Sequence, residues 1–176
     1  MSRCLVGSEM CIRDSISAEV VADDALEMVD QAQAFKDLQN VTIKVPLTIE
    51  GLKACKLLTQ DGFTVNVTLC FSVAQAVLAA KAGATYISPF VGRVDDNSFE
   101  GIGLVKDIAN LYKEHMSRTQ VLAASLRNVK DVAQCFSVGA DVVTMPPAIF
   151  HKMYNHILTD KGLQLFQDDW NSIKKD

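Results

Sequence analysis

No run of like charge in this chain is long enough to form a basic stripe, and its balance is acidic. Seventeen Lys and Arg stand against 21 Asp and Glu, a formal net charge of -4 with an isoelectric point near 5.3. A surface of that sign argues against nucleic acid and anionic membrane as partners and leaves a small molecule as the expected ligand. Also missing is any uncharged apolar run long enough to span a bilayer, and the N-terminus lacks the apolar core of a secretory signal, so the cytoplasm is the expected compartment. Cysteine is sparse and odd in number, five residues without framework spacing. Cys55, Cys70 and Cys135 sit inside apolar runs and read as reduced core thiols, and no metal site follows from them. What the chain does have is apolar content: 176 residues, 49% of them hydrophobic, suffice for one domain with a sizeable core.

From Ile16 onward a strand-then-helix unit recurs. Strands are expected at Ile16–Val21, Val41–Leu47, Thr64–Phe71, Tyr86–Phe90, Gln120–Ala124 and Asp141–Met145. Helical patterns follow them at Asp24–Leu38, Ile49–Gln60, Val73–Ala82, Gly101–His115, Val129–Val138 and Pro147–Tyr154, and an amphipathic stretch, Asp160–Trp170, closes the chain. Gly62, Gly83 and Gly139 stand where helices end and the backbone turns left-handed. Tandem βα units specify an α/β fold with parallel strands, doubly wound or closed into a barrel. Residues 1–15 fit neither period and read as a segment outside the fold, its residues unrelated to the domain at 16–176. A closed βα barrel has eight strands, so two are expected to be missing at the N-terminal side.

The segment Val41-Thr42-Ile43-Lys44-Val45-Pro46 places one lysine in an otherwise apolar, β-branched strand. Burying an ammonium is costly, which favours the neutral amine, a nucleophile able to form a Schiff base with a carbonyl. Strand side chains alternate, so Asn66 and Thr68 share one face of their strand while Val67 and Leu69 share the helix-covered face. Ser88 and Phe90 share a face, Glu19 lies on the first strand, and Arg93 follows a strand end. Each strand thus brings a polar residue toward its C-terminal end, the edge where parallel βα folds bind ligands. Ser125 and Arg127 stand at a helix entrance, where free N–H groups and a guanidinium favour phosphate; Arg93 adds a second charge or pairs with Asp95 or Asp96.

Each residue also has a structural alternative. Lys44 can reach water or a carboxylate from a strand end, with Glu19 as its ion-pair partner. Asn66 and Thr68 can satisfy backbone groups, Ser125 can cap a helix with Arg127 in its first turn, and Phe90 can be core. His151 and His156 have no partner pattern.

Taken together the residues resemble the short transaldolases, a family of class I aldolase-type (β/α)8 TIM barrels that includes the fructose-6-phosphate aldolases. The resemblance rests on Ser17-Ala18-Glu19-Val20, Ile43-Lys44-Val45-Pro46, Asn66-Val67-Thr68-Leu69, Ser88-Pro89-Phe90-Val91-Gly92-Arg93, Ala123-Ala124-Ser125-Leu126-Arg127-Asn128 and the tail Leu158-Thr159-Asp160-Lys161-Gly162, and runs from about Ile16 to Trp170. It implies transfer of a dihydroxyacetone unit between sugar phosphates in the pentose phosphate pathway, with Lys44 as the Schiff-base lysine. Glu19 matches the carboxylate that moves protons through a bound water, and Thr68 the hydroxyl that holds that water. Asn66 binds substrate hydroxyls, Ser88 and Phe90 line the site, and Arg93, Ser125 and Arg127 bind phosphate. No metal or organic cofactor is implied, and family members assemble as homo-oligomers.

The chain departs from the family by lacking the first-strand aspartate and the second-strand Thr-Asn-Pro-type motif. Weak or absent activity of this form is therefore expected. Phe90 and Glu19 point to transfer, since the aldolase branch generally has tyrosine and glutamine there. Simple cleavage of fructose 6-phosphate is the second reading, and a catalytically inactive chain that only binds sugar phosphate is the third.

Overall fold

A computed structural model describes residues 15–173, so the expectations for 1–15 lie outside the described residues except at Ser15. Six strands are present: β1 (Ile16–Glu19), β2 (Val41–Pro46), β3 (Thr64–Cys70), β4 (Tyr86–Pro89), β5 (Gln120–Ala123) and β6 (Val142–Val143). All pair in parallel and lie in sequence order, β1-β2-β3-β4-β5-β6. Sequential order with right-handed crossovers puts every connecting helix on one side of the sheet, the winding of a barrel rather than of a doubly wound sheet. The domain is therefore a six-unit arc of the (β/α)8 barrel. Among the described residues β1 and β6 each pair on one side only.

Eight helices are described. They are α1 (Ala25–Gln33), α2 (Ile49–Gln60), α3 (Val73–Ala82), α4 (Val91–Asp96), α5 (Gly101–Glu114), α6 (Val129–Ser137), α7 (Pro147–Lys152) and α8 (Ile157–Ile173). Asp24, Thr48, Ser72 and Asn128 accept N–H bonds at the starts of α1, α2, α3 and α6, which stop the chain from extending the preceding strand. Gly62, Gly83 and Gly139 take the expected positive φ.

Alternation separates the two faces of the sheet. Ile43, Val45, Val65, Val67, Ile87 and Val121 are sealed and join Met28, Ala54, Leu58 and Ile108 from the helices in one core. The opposite face carries Thr42, Lys44, Asn66, Thr68 and Ser88, of which all but Lys44 are buried. Two long-range bonds fix neighbouring units to each other: Tyr112 on α5 donates to the Ala76 carbonyl on α3, and Thr119 before β5 to that of Ala84 before β4, both at 2.7 Å.

Several boundaries differ from the expectation. α1 stops at Gln33, where 3₁₀-type bonds from Phe35 and Lys36 tighten its end. β6 shrinks to two residues because it has a partner only in β5, although Thr144 still donates to the Ala123 carbonyl. α4 was not anticipated: six residues with no side-chain cap give little sequence signal. Leu69 does not continue the alternation of β3. It sits at φ 62° where the β3–β4 register shifts between Val67 and Cys70, a bulge that ends the regular pairing beside Thr68.

The three described cysteines are free and buried, as expected. Burial pushes the Cys55 thiol up to about 12, and those of Cys70 and Cys135 to about 11, from an ordinary 9.0. Above pH 9 the unfolded chain loses these protons while the folded chain retains them, so stability falls as pH rises from about 9 toward 11. Urea midpoints are expected to hold steady between pH 7 and 8.5 and to drop by pH 10.5.

Along α8 no residue is buried, and Leu163, Phe166, Trp170 and Ile173 form an exposed apolar stripe at helical spacing.

Candidate active site

The register of the sheet builds the site. Glu19 on β1 lies level with Lys44 on β2, and Lys44 lies level with Asn66 on β3. Partnered residues of parallel strands share a face, so the three side chains form a row across the barrel interior. Thr68 lies one alternation further toward the C-terminal end, level with Pro46. Ser88 on β4 joins the row by donating to Asn66 Oδ1 at 2.7 Å, a bond buried from solvent.

Lys44 is not sealed in the interior. Its side chain is 25% exposed and its Nζ donates to Glu19 Oε2 at 3.2 Å. The expectation of a fully buried lysine is corrected for a simple reason: Lys44 faces the open interior of the arc, and its neighbour strand β1 is an edge among the described residues. The pairing with Glu19 is the one its structural alternative named, and it is also what a lysine needs if a carboxylate is to take its proton. Below this row runs a chain of hydroxyls that sequence reading missed: Ser15 Oγ to Thr42 Oγ1 at 2.6 Å, and Thr42 Oγ1 to Thr64 Oγ1 at 3.0 Å. Stepping back by two from Lys44 and Asn66 would have found Thr42 and Thr64.

Thr68 is fully buried, yet its Oγ1 finds no hydrogen-bond partner among the described residues. It therefore does not serve the backbone, the role its structural alternative gave it.

Beyond the row, Phe90 is half-buried between Phe71, edge-on at 5.9 Å, and Arg93, whose guanidinium stands 5.0 Å from the ring centroid. Phe71 was not singled out in sequence. Ser125 holds φ at 61° and is not a helix cap; Asn128 caps α6 instead. The Ser125 carbonyl accepts from Gly92 N–H at 3.2 Å, and that of Ala124 from Val91 N–H at 3.0 Å, so the loop after β5 is laced to the start of α4. Arg127 forks both Nη groups onto the Asp96 carboxylate, which holds its guanidinium ionised above the ordinary arginine value. Arg93 pairs with neither aspartate of α4; Asp95 instead accepts from Gly101 N–H at 2.8 Å, at the start of α5.

A hollow of about 570 Å³ lined by Phe71, Arg93, Phe99 and Leu104 adjoins this rim. Another of about 540 Å³, among Tyr112, Arg118, Phe136 and Asp141, lies at the N-terminal end of β5 and shares no residue with the site. Among the described residues no group of three or more His, Cys, Asp or Glu is placed to hold a metal ion, and no helix is long and apolar enough to cross a membrane.

A family model described as "Transaldolase/Fructose-6-phosphate aldolase" matches residues 7–176. The chain belongs to the transaldolase/fructose-6-phosphate aldolase family. Within that family it is 53% identical over 168 residues to a "Probable transaldolase" of Cereibacter sphaeroides, an alignment covering 94% of this chain and 77% of that one. A "Probable transaldolase" of Paracoccus denitrificans is 51% identical over the same span and coverage. Among solved structures a mandelate oxidase aligns with a TM-score of 0.58 at 14% identity, over 74% of this chain and 49% of that one. A GMP reductase from Trypanosoma brucei aligns at 0.56 and 16%, over 77% and 30%. At such identities the likeness is one of fold alone, and this chain spans about half the length of the oxidase.

Proposed function

We propose that this family member is a transaldolase of the pentose phosphate pathway, moving a dihydroxyacetone unit from fructose 6-phosphate or sedoheptulose 7-phosphate to an aldose phosphate through an imine on Lys44. The observation that carries the reading is the row Glu19, Lys44, Asn66, Ser88, delivered by four consecutive strands to one face. The neutral amine of Lys44 adds to the C2 ketone, and water leaves to give a protonated imine. The C3–C4 bond then breaks with its electron pair drawn into the iminium, the C4 hydroxyl loses its proton, and an aldehyde departs. The remaining enamine adds to the acceptor aldehyde, and water hydrolyses the imine.

Glu19, 3.2 Å from the amine, takes and returns protons with the help of a water held by Thr68. Asn66 accepts from Ser88 through its carbonyl oxygen, which leaves its amide N–H groups for substrate hydroxyls. Phe90 lines the acceptor side with Ser88, and Arg93, Ser125 and Arg127 take the phosphate. A homo-oligomer is part of the same reading, with the apolar stripe of α8 as its contact element, and a cytoplasmic enzyme without cofactor is expected.

Thr68→Val separates this role from a packing role. Valine replaces the hydroxyl by a methyl of the same shape, so stability is expected to change by less than about 1 kcal/mol, while turnover falls about 100-fold with the loss of the water site. A denaturant melt and a coupled assay measure the two. The reading as a whole is tested by following glyceraldehyde 3-phosphate release from fructose 6-phosphate with and without erythrose 4-phosphate. Transfer requires the acceptor and aldolase cleavage does not; with weak or absent turnover expected of a chain that lacks the first-strand aspartate, no product in either arm from a folded sample favours the third reading, a chain that only binds sugar phosphate.

A further inference from the structure

Arg127 lies along a track on α4. Gly92 and Asp96 are four residues apart and share one face of that helix. At Gly92 the track is open: an added Cβ would stand 2.8 Å from Arg127 Nε and 3.2 Å from its Cδ. One turn further on, Asp96 closes it, taking Nη1 on one carboxylate oxygen and Nη2 on the other. Nε therefore faces the helix and both Nη groups face a carboxylate. α4 begins at the C-terminal end of β4, on the rim of the site, and Asp96 is its last residue, so the pair leaves Nε beside Gly92 near the rim and turns both Nη groups along the helix away from it. The other charges of α4 are engaged elsewhere, Arg93 over the Phe90 ring and Asp95 at the start of α5.

Bidentate binding of phosphate by arginine needs two parallel N–H groups, and the pair best suited to it here is held by Asp96. We propose that Asp96 is a competing carboxylate that parks Arg127 in the empty site, so that a substrate engages this arginine only by displacing it. The inference rests on the sugar-phosphate reading above and makes Asp96 a specificity-determining residue for it. A phosphate dianion carries more charge and more acceptor oxygens than a carboxylate and displaces Asp96; a singly charged sugar acid gains nothing from the exchange. Phosphorylated sugars are thereby selected over acidic ones at the loop after β5.

The test is calorimetric titration with inorganic phosphate of the wild-type chain, Asp96→Asn, Asp96→Glu, Arg127→Gln and the double variant Asp96→Asn/Arg127→Gln. Both partners are about half exposed, so the amide substitution disturbs no packing. Asp96→Asn is expected to bind phosphate about two- to fivefold more tightly, the range set by the modest strength of exposed ion pairs. Asp96→Glu should stay near wild type, and the gain should vanish in the Arg127→Gln background. A purely structural role for Asp96 predicts the opposite sign, weaker binding. Equal or weaker binding by Asp96→Asn, or a gain that survives without Arg127, overturns the proposal while leaving the sugar-phosphate site standing. Absence of phosphate binding in wild type and Asp96→Asn alike overturns that site and this proposal together.

Discussion

Lys44→Ala is expected to abolish imine formation and to lower any transfer or cleavage activity by at least about 10⁴-fold, while the protein stays folded. The size of the loss follows from the mechanism. No other amine stands in the row formed by Glu19, Lys44, Asn66 and Ser88, so the electron sink for C3–C4 cleavage disappears with Lys44. The stability change should be small for an equally definite reason. The ion pair with Glu19 is partly exposed, 25% on one side and 41% on the other, and pairs of that kind contribute about 0.2–1 kcal/mol. Glu19 left alone remains in contact with water, so no buried charge is stranded. Circular dichroism and a urea melt beside the coupled assay distinguish a lost nucleophile from a lost fold. Lys44→Arg sharpens the test, since it preserves the charge opposite Glu19 but is not a nucleophile at neutral pH.

Gly92→Ala is the second large effect, and here two opposing contributions must be weighed. Alanine inside a helix is favoured over glycine by about 1 kcal/mol. Against that, its Cβ would stand 2.3 Å from the Ser125 carbonyl oxygen and 2.8 Å from Arg127 Nε. The oxygen belongs to a backbone that is hydrogen-bonded to Gly92 itself and cannot rotate aside. Overpacking of this kind costs about 1–3 kcal/mol, so the net expectation is a loss of about 0–2 kcal/mol. The functional loss should exceed the structural one, because the displaced segment carries both Ser125 and Arg127. Phosphate affinity is expected to fall at least tenfold. Gly162→Ala in α8 provides the control: nothing lies within 4 Å of its added Cβ, so helix propensity acts alone and thermal stability should rise slightly. If Gly92→Ala instead melts higher and binds phosphate as before, the close packing of α4 against the loop after β5 is not what shapes the site.

Much of this architecture was legible in the residues. α2 and α3 run over the expected spans because their boundaries are chemically marked, by Thr48 and Ser72 at the starts and by Gly83 in the left-handed region after α3. The polar face of the sheet was legible for a similar reason. A period of two assigns Lys44, Asn66 and Thr68 to one side and Val45 and Val67 to the other, and burial of the second set follows.

What escaped the sequence were features fixed by tertiary contact. α4 is too short to show a period, and its existence depends on the lacing of Val91 and Gly92 to Ala124 and Ser125. The partner of Arg127 is 31 residues away in the chain, so spacing pointed to Arg93 as the arginine beside Asp95 and Asp96, whereas the fold brings Arg127 to Asp96 instead. Leu69 in the left-handed region has no signature at all, since leucine rarely adopts it; the bulge is imposed by the mismatch between β3 and β4. The exposure of Lys44 and its pairing with Glu19 match the structural alternative weighed for it; the sequence alone did not decide between that and burial because an apolar run reads as buried on both faces, while the interior of this arc is polar.

Reductive trapping asks whether Lys44 is the nucleophile. The protein is incubated with fructose 6-phosphate, reduced with borohydride, digested and mapped by mass spectrometry. A dihydroxyacetone-sized adduct on Lys44, absent from Lys44→Ala, is the predicted result. A folded sample that yields no adduct, or an adduct on another lysine, would contradict it.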